Sequence, residues 1–128
     1  MLRTTRLLAA LALTISAVPA QAGITASWPL LAFDTGAGCE LRINGNGRFI
    51  EIGTSGMIPG EALRLTLSNG EMKPIAYTAY ANGKGQWSKL YIPFRFGQEG
   101  GTIAVRIAAS RCTLDASVPW TRGVRTIR

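Results

Sequence analysis

Histidine is absent from this 128-residue chain, cysteine occurs twice, and 7 acidic residues stand against 14 lysines and arginines. Without imidazole, every nucleophile or general-base arrangement built on histidine is excluded. A zinc site would need carboxylates to complete a set begun by two thiolates. The two cysteines have no C-x-x-C spacing, which argues against a redox-active pair. After residue 22 no apolar run approaches the roughly 18 residues of a membrane span, and helical periodicity is almost missing. Length alone bounds the chain to one small domain.

What is present begins with an export pattern. Arg3 and Arg6 form a basic start, Leu7 to Val18 an apolar stretch, Pro19 a break, and Ala20-Gln21-Ala22 a small-x-small cleavage site. Residues 1–22 therefore read as a cleaved signal peptide, the alternative being an uncleaved signal anchor. Cleavage removes two arginines, so the formal charge of +7 falls to +5. No cysteine follows the cleavage site, so a lipid anchor is not expected. The mature protein should be periplasmic or secreted, with no transmembrane span.

The mature chain alternates in short segments broken by Gly, Asn and Pro, the signature of antiparallel strands with one buried face. Cys39, Leu41 and Ile43 share one parity and lead to Asn44-Gly45-Asn46-Gly47, a turn tolerant of positive φ. Ile50 and Ile52 follow, and Gly53 and Gly56 are expected to break that strand. Leu63, Leu65 and Leu67 alternate with Arg64, Thr66 and Ser68 up to Asn69-Gly70. Ile75 to Tyr80 is the next strand, Gly83-Lys84-Gly85 reads as a hairpin turn, and Gln86 to Phe94 is the strand after it. There Leu90, Ile92 and Phe94 oppose Trp87, Lys89 and Tyr91, and the pattern does not say which face is buried. Ile103, Val105 and Ile107 mark a late strand, and Cys112, Leu114, Ala116 and Val118 the last. Residues 23–38 are either a first strand or a loose arm.

The expected fold is an all-β, immunoglobulin-like two-sheet antiparallel sandwich of about seven strands over residues 23–118, with residues 119–128 as a basic tail. A small closed barrel is the other architecture compatible with the pattern. Both cysteines fall on the apolar parity of their strands. An even count in an exported chain argues for a Cys39–Cys112 disulfide buried in the core. It would close a loop of about 74 residues, worth roughly 4 kcal/mol by chain entropy.

Two turns carry a family resemblance. Ser55-Gly56-Met57-Ile58-Pro59-Gly60-Glu61 before the Leu63 strand, and Ala81-Asn82-Gly83-Lys84-Gly85-Gln86-Trp87 after the Ile75 strand, resemble bacterial immunoglobulin-like domains of secreted and surface proteins. Such domains carry a P-G-E turn before an alternating strand and a D-x-x-G-x-[W or F] turn before a later one. The likeness covers about residues 48–94 and implies a fold rather than a function. Asn82 stands where aspartate is commoner, so the calcium that some relatives hold at such acidic turns is not expected. The cysteines, near the two ends of the domain, also depart from the antibody arrangement on central strands. Independently of the family, Pro59-Gly60 reads as a type II turn.

No catalytic set emerges. Asp34, Glu40, Glu51, Glu61, Glu71, Glu99 and Asp115 are scattered, and Ser88 and Lys89 point to opposite faces of one strand. No cofactor or metal is expected. The candidate recognition surface is Trp87, Lys89 and Tyr91 with Arg64 and Arg106 from other strands, where aromatic rings and cations meet. The alternative for Trp87 is that it covers the core edge. Arg122, Arg125 and Arg128 form a second candidate, an anion-contacting tail, or else a solvated terminus. The reading is a non-catalytic envelope module that binds a protein or anionic glycan and not nucleic acid. Its alternatives are a small secreted hydrolase, an enzyme inhibitor or a subunit of a surface fibre.

Overall fold

The computed structural model describes residues 28–95 and 97–122. They form eight strands: β1 (Leu30–Gly36), β2 (Cys39–Gly45), β3 (Ile50–Ser55), β4 (Ala62–Asn69), β5 (Ile75–Tyr80), β6 (Trp87–Tyr91), β7 (Gly100–Ala108) and β8 (Thr113–Thr121). Two four-stranded antiparallel sheets result, in the orders β1-β2-β3-β6 and β5-β4-β7-β8. The architecture is the two-sheet sandwich, not a closed barrel. The extra strand is β1, within the stretch that the alternation pattern leaves open.

Alternation explains the layering. Leu41 and Ile43 of β2, Ile52 of β3, Leu63 and Leu65 of β4, Ile103 and Ile107 of β7 and Leu114 of β8 are almost wholly buried between the sheets. Each such side chain stabilises the fold by about 1.5–3 kcal/mol through water removal. Their alternate neighbours, such as Arg64, Thr66, Ala104, Arg106, Asp115 and Ser117, face outward. Cys39 and Cys112 are bonded and buried, joining the start of β2 to the residue before β8. The staple links the first sheet to the second, with Met57 Sδ 3.8 Å from Cys112 Sγ.

Several local expectations change. Gly53 does not break β3, which continues to Ser55 with Gly53 paired to both Arg42 and Ser88. Gly83-Lys84-Gly85 is not a hairpin turn: β5 and β6 lie in different sheets, and the turn carries the chain across the sandwich. Asn82 Oδ1 holds that crossing by accepting the Lys84 and Gln86 amides, both at 2.9 Å. Gly85 has φ +71°, and a Cβ on it would stand 2.1 Å from the Met57 carbonyl oxygen. β6 stops at Tyr91 rather than Phe94, ahead of Pro93. β8 runs to Thr121, past residue 118, and Trp120 lies in the core.

The Pro59-Gly60 corner forms as a type II turn, with Gly60 at φ +78° and the Glu61 amide donating to the Ile58 carbonyl at 3.0 Å. Glu61 is bound to both sides of this end of the sandwich. Its carboxylate accepts the Ile58 amide at 2.5 Å and the Ser110 amide and hydroxyl at 2.8 and 2.9 Å. These donors, the Ser110 and Ile58 amides first, hold its pKa below the ordinary 4.5.

Candidate functional site

Trp87, Lys89 and Tyr91 pair with Thr54, Ile52 and Ile50, so they share the inner side of the first sheet. They close the open flank between β6 and β5. The Trp87 and Tyr77 rings lie 6.5 Å apart, and Lys89 Nζ stands 4.8 Å from the Tyr77 centroid. Tyr91 is half-buried, and its hydroxyl accepts from Asn69 Nδ2 at 3.2 Å. The outward side of β6 carries exposed Leu90 instead.

Arg64 and Arg106 are elsewhere, on the outer face of the second sheet. Arg106 pairs with Thr66 across β7 and β4, and Arg64 lies two residues along β4. The structure therefore brings these two arginines to one face and leaves Trp87, Lys89 and Tyr91 on another. Arg122 is held too: its guanidinium donates to the Gln98 and Arg95 carbonyls and lies 5.7 Å from the Phe94 ring. Its amide donates to Glu99. It works as a clamp on the link between β6 and β7, while Arg125 and Arg128 lie outside the described residues.

A groove of about 820 Å³ opens on the outer face of β4, β7 and β8, beside β1. Its floor is small and hydroxylated, with Thr66, Ser68, Ala104 and Ser117, because outward positions of these strands alternate with the core leucines and isoleucines. Its wall is apolar: Leu31 and Phe33 of β1 are exposed, Phe33 to 64 %. Arg106 and Asp115 bound it as an ion pair, Nε to Oδ1 at 2.8 Å, and Asp115 raises the arginine pKa above its ordinary value. β1 is held beside β8 by the Asp115 amide, which donates to Asp34 Oδ2 at 2.9 Å.

Arg106 was legible as a candidate, whereas Leu31 and Phe33 were not. They sit in Leu30-Leu31-Ala32-Phe33, where a bulge between Leu30 and Ala32 breaks the alternation that marks a strand. Among the described residues no cluster of three or more His, Cys, Asp or Glu side chains could hold a metal, and no helix is long and apolar enough to cross a membrane. Compared with protein-family models, curated proteins and solved structures, the chain matches none of them.

Proposed function

We propose that this chain is an exported, non-catalytic module of the cell envelope that binds a protein partner in the groove between β1 and the outer face of the second sheet. The observation that carries the reading is the groove's chemistry. An exposed apolar wall of Leu31 and Phe33 faces a floor of hydroxyls, and the cation at its edge is already neutralised by Asp115. A polypeptide segment offers apolar side chains and amide groups that match such a surface. An anionic glycan is the weaker fit, because Arg106 has no free charge to offer it.

The export-like residues 1–22 and the disulfide support placement in the periplasm or outside the cell. An immunoglobulin-like architecture is supported by strand order. Counting β2 to β8 as seven strands, the second pairs with the fifth, the third with the sixth, and the sixth with the seventh, as in that fold. β1 is then an addition outside the seven, and it is the strand that walls the groove. Against a hydrolase, Asp34 and Asp115 serve as acceptors within the fold, one for backbone amides and the other for Arg106.

The test places a photo-crosslinking residue at Ser117, in the groove, or at Glu40, on the other sheet, of the exported protein in intact cells. A protein adduct formed from Ser117, absent from Glu40 and weakened by Phe33→Ala supports the reading. Equal capture from both positions, or retention of an anionic-glycan panel by the purified domain with no protein adduct, overturns the choice of a protein partner.

A further inference from the structure

Charge is divided unevenly between the two ends of the sandwich. Leu30 pairs with Asn44, Ile50 with Tyr91, Asn69 with Ile103 and Gly100 with Thr121, and Asn69 Nδ2 donates to the Tyr91 hydroxyl. One end therefore gathers the β2–β3 and β4–β5 loops, the chain leaving β6, and the chain entering β1 and leaving β8. The other end holds the disulfide and the Pro59-Gly60 corner. The strands themselves are neutral, with Arg42, Arg64, Lys89 and Arg106 against Asp34, Glu40, Glu51 and Asp115. Outside the strands at the disulfide end, Lys84 and Arg111 against Glu61 leave +1. At the Asn69 end, Arg48, Lys73, Arg95 and Arg122 against Glu71 and Glu99 leave +2. The chain leaves this end at Arg122, and Arg125 and Arg128 follow within six positions, which brings the sum to +4. Among the described residues both ion pairs lie on strands, so these four cations face solvent or backbone carbonyls.

The same end exposes apolar side chains. Leu30 opens β1, Ile75 opens β5, Phe49 lies in the β2–β3 loop and Ile92 follows β6, all exposed, Ile92 to 58 %. The Trp28 ring stacks on Phe49 at 6.5 Å. That pair is fixed in place, since the Trp28 and Pro29 carbonyls accept from Asn44 Nδ2 at 3.1 Å and the Gly45 amide at 3.0 Å.

We propose that the Asn69 end docks on an anionic phospholipid surface, with Phe49, Trp28 and Ile92 entering the interface and Arg48, Lys73, Arg95 and Arg122 meeting the headgroup phosphates. Charge complementarity selects this occupant, because the +4 end is the one that an anionic surface would turn toward itself. Geometry selects a bilayer over a folded acidic partner. The apolar tips and the cations come from separate loops and strand ends of both sheets, around the rim of the sandwich. A rigid protein surface would have to match that rim in shape, whereas a fluid interface accepts scattered apolar tips into its acyl boundary and cations at its headgroups. The stacked Trp28 and Phe49 rings suit the interfacial layer, where tryptophan is enriched. The contact is shallow and made by loops, so it is reversible and salt-sensitive. Thr66, Arg106 and Asp115 of the groove sit in mid-strand on the side of the sandwich, so a domain standing on this end still presents the groove.

Co-sedimentation of the exported, oxidised protein with vesicles tests this, using phosphatidylcholine alone and phosphatidylcholine with about 30 % phosphatidylglycerol. The protein should bind the anionic vesicles, leave them at high salt and ignore the neutral ones. Lys73 and Ile92 are exposed and outside the strands, so Lys73→Glu and Ile92→Ser leave the core intact, which the thermal midpoint of each variant checks. Each should weaken vesicle binding at least about fivefold, whereas Lys84→Glu, the same change in net charge at the disulfide end, should alter it less than about twofold. Hydrogen exchange of wild-type amides over residues 46–49 and 70–75 should slow on the vesicles while that over 82–85 stays unchanged, a readout that needs no variant. Binding to neither vesicle, equal binding to both, or equal losses from Lys73→Glu and Lys84→Glu would overturn the proposal. Retention on poly-glutamate that matches vesicle binding and ignores Ile92→Ser would point to an acidic protein and overturn it too. None of these results bears on the groove, which is probed through Ser117 and Phe33.

Discussion

Removing the side chain of Asn69 should cost more stability than any other single polar truncation in the fold. Asn69 ends β4 with no exposed surface, and every one of its amide hydrogen-bonding groups is used inside the sandwich. Trp120 Nε1 donates to its Oδ1 at 2.6 Å, and its Nδ2 donates to the Pro93 carbonyl at 2.7 Å and to the Tyr91 hydroxyl at 3.2 Å. The knot ties β4, β8 and the chain leaving β6 into one unit. Asn69→Ala strands the Trp120 N–H and the Pro93 C=O away from water, at about 1–3 kcal/mol each, so the loss should be about 2–6 kcal/mol. For a domain of this size each kcal/mol moves the thermal midpoint by roughly 4–8 °C. Trp120→Phe keeps an aromatic ring against Phe94, whose centroid lies 5.7 Å away, and leaves only Oδ1 unpaired. The double variant removes donor and acceptor together, so its cost should fall short of the sum by about 1 kcal/mol or more. Urea unfolding followed by far-ultraviolet circular dichroism measures all three without relying on tryptophan fluorescence. A loss under about 0.5 kcal/mol for Asn69→Ala, or additivity within about 0.5 kcal/mol, would refute the argument.

Reducing the Cys39–Cys112 bond frees a loop spanning 73 positions and should cost about 4 kcal/mol, read as a lower urea midpoint; free thiols in exported protein would contradict it. The pH dependence should centre on Glu61. Its pKa is lowered on folding, so the stability it lends is complete above the ordinary 4.5 and is lost as pH falls through the lower folded value. Glu61→Gln should therefore lower the thermal midpoint at pH 7 and flatten its fall between pH 5 and 3; parallel curves would count against the turn contacts. Thr54 Oγ1 is buried without a hydrogen-bond partner, so Thr54→Val should be neutral or stabilising by up to about 2 kcal/mol, and a clear loss in urea would show that the hydroxyl is satisfied.

Much of the fold was legible because its information is local. Period-two alternation marks Leu41 to Ile43, Leu63 to Leu67 and Ile103 to Ile107, and a one-residue slip would have moved each set into water. The cysteines followed from the same parity, and Pro59-Gly60 from backbone sterics. Illegible features were those in which two faces look alike in sequence. In β6, Trp87/Lys89/Tyr91 and Ser88/Leu90 both mix apolar and polar residues, so the inner side is settled only by pairing with Ile50, Ile52 and Thr54. β1 was hidden by its bulge, and with it the apolar wall of the groove.

The hairpin expectation at Gly83-Lys84-Gly85 failed for a related reason. A glycine-rich turn reverses or redirects the chain, and whether the next strand rejoins the same sheet depends on what already occupies that edge. Sequence by itself determined the all-β class, the buried parity of the central strands and the staple, since each is set by side chains a few positions apart or by cysteine count. Tertiary structure alone decided that Arg106 borders a groove with Phe33, that Trp87 closes the core, and that Asn69 gathers Trp120, Tyr91 and Pro93. Those neighbours come from different strands, and only the assembled sheets and their packing on one another bring them within contact distance.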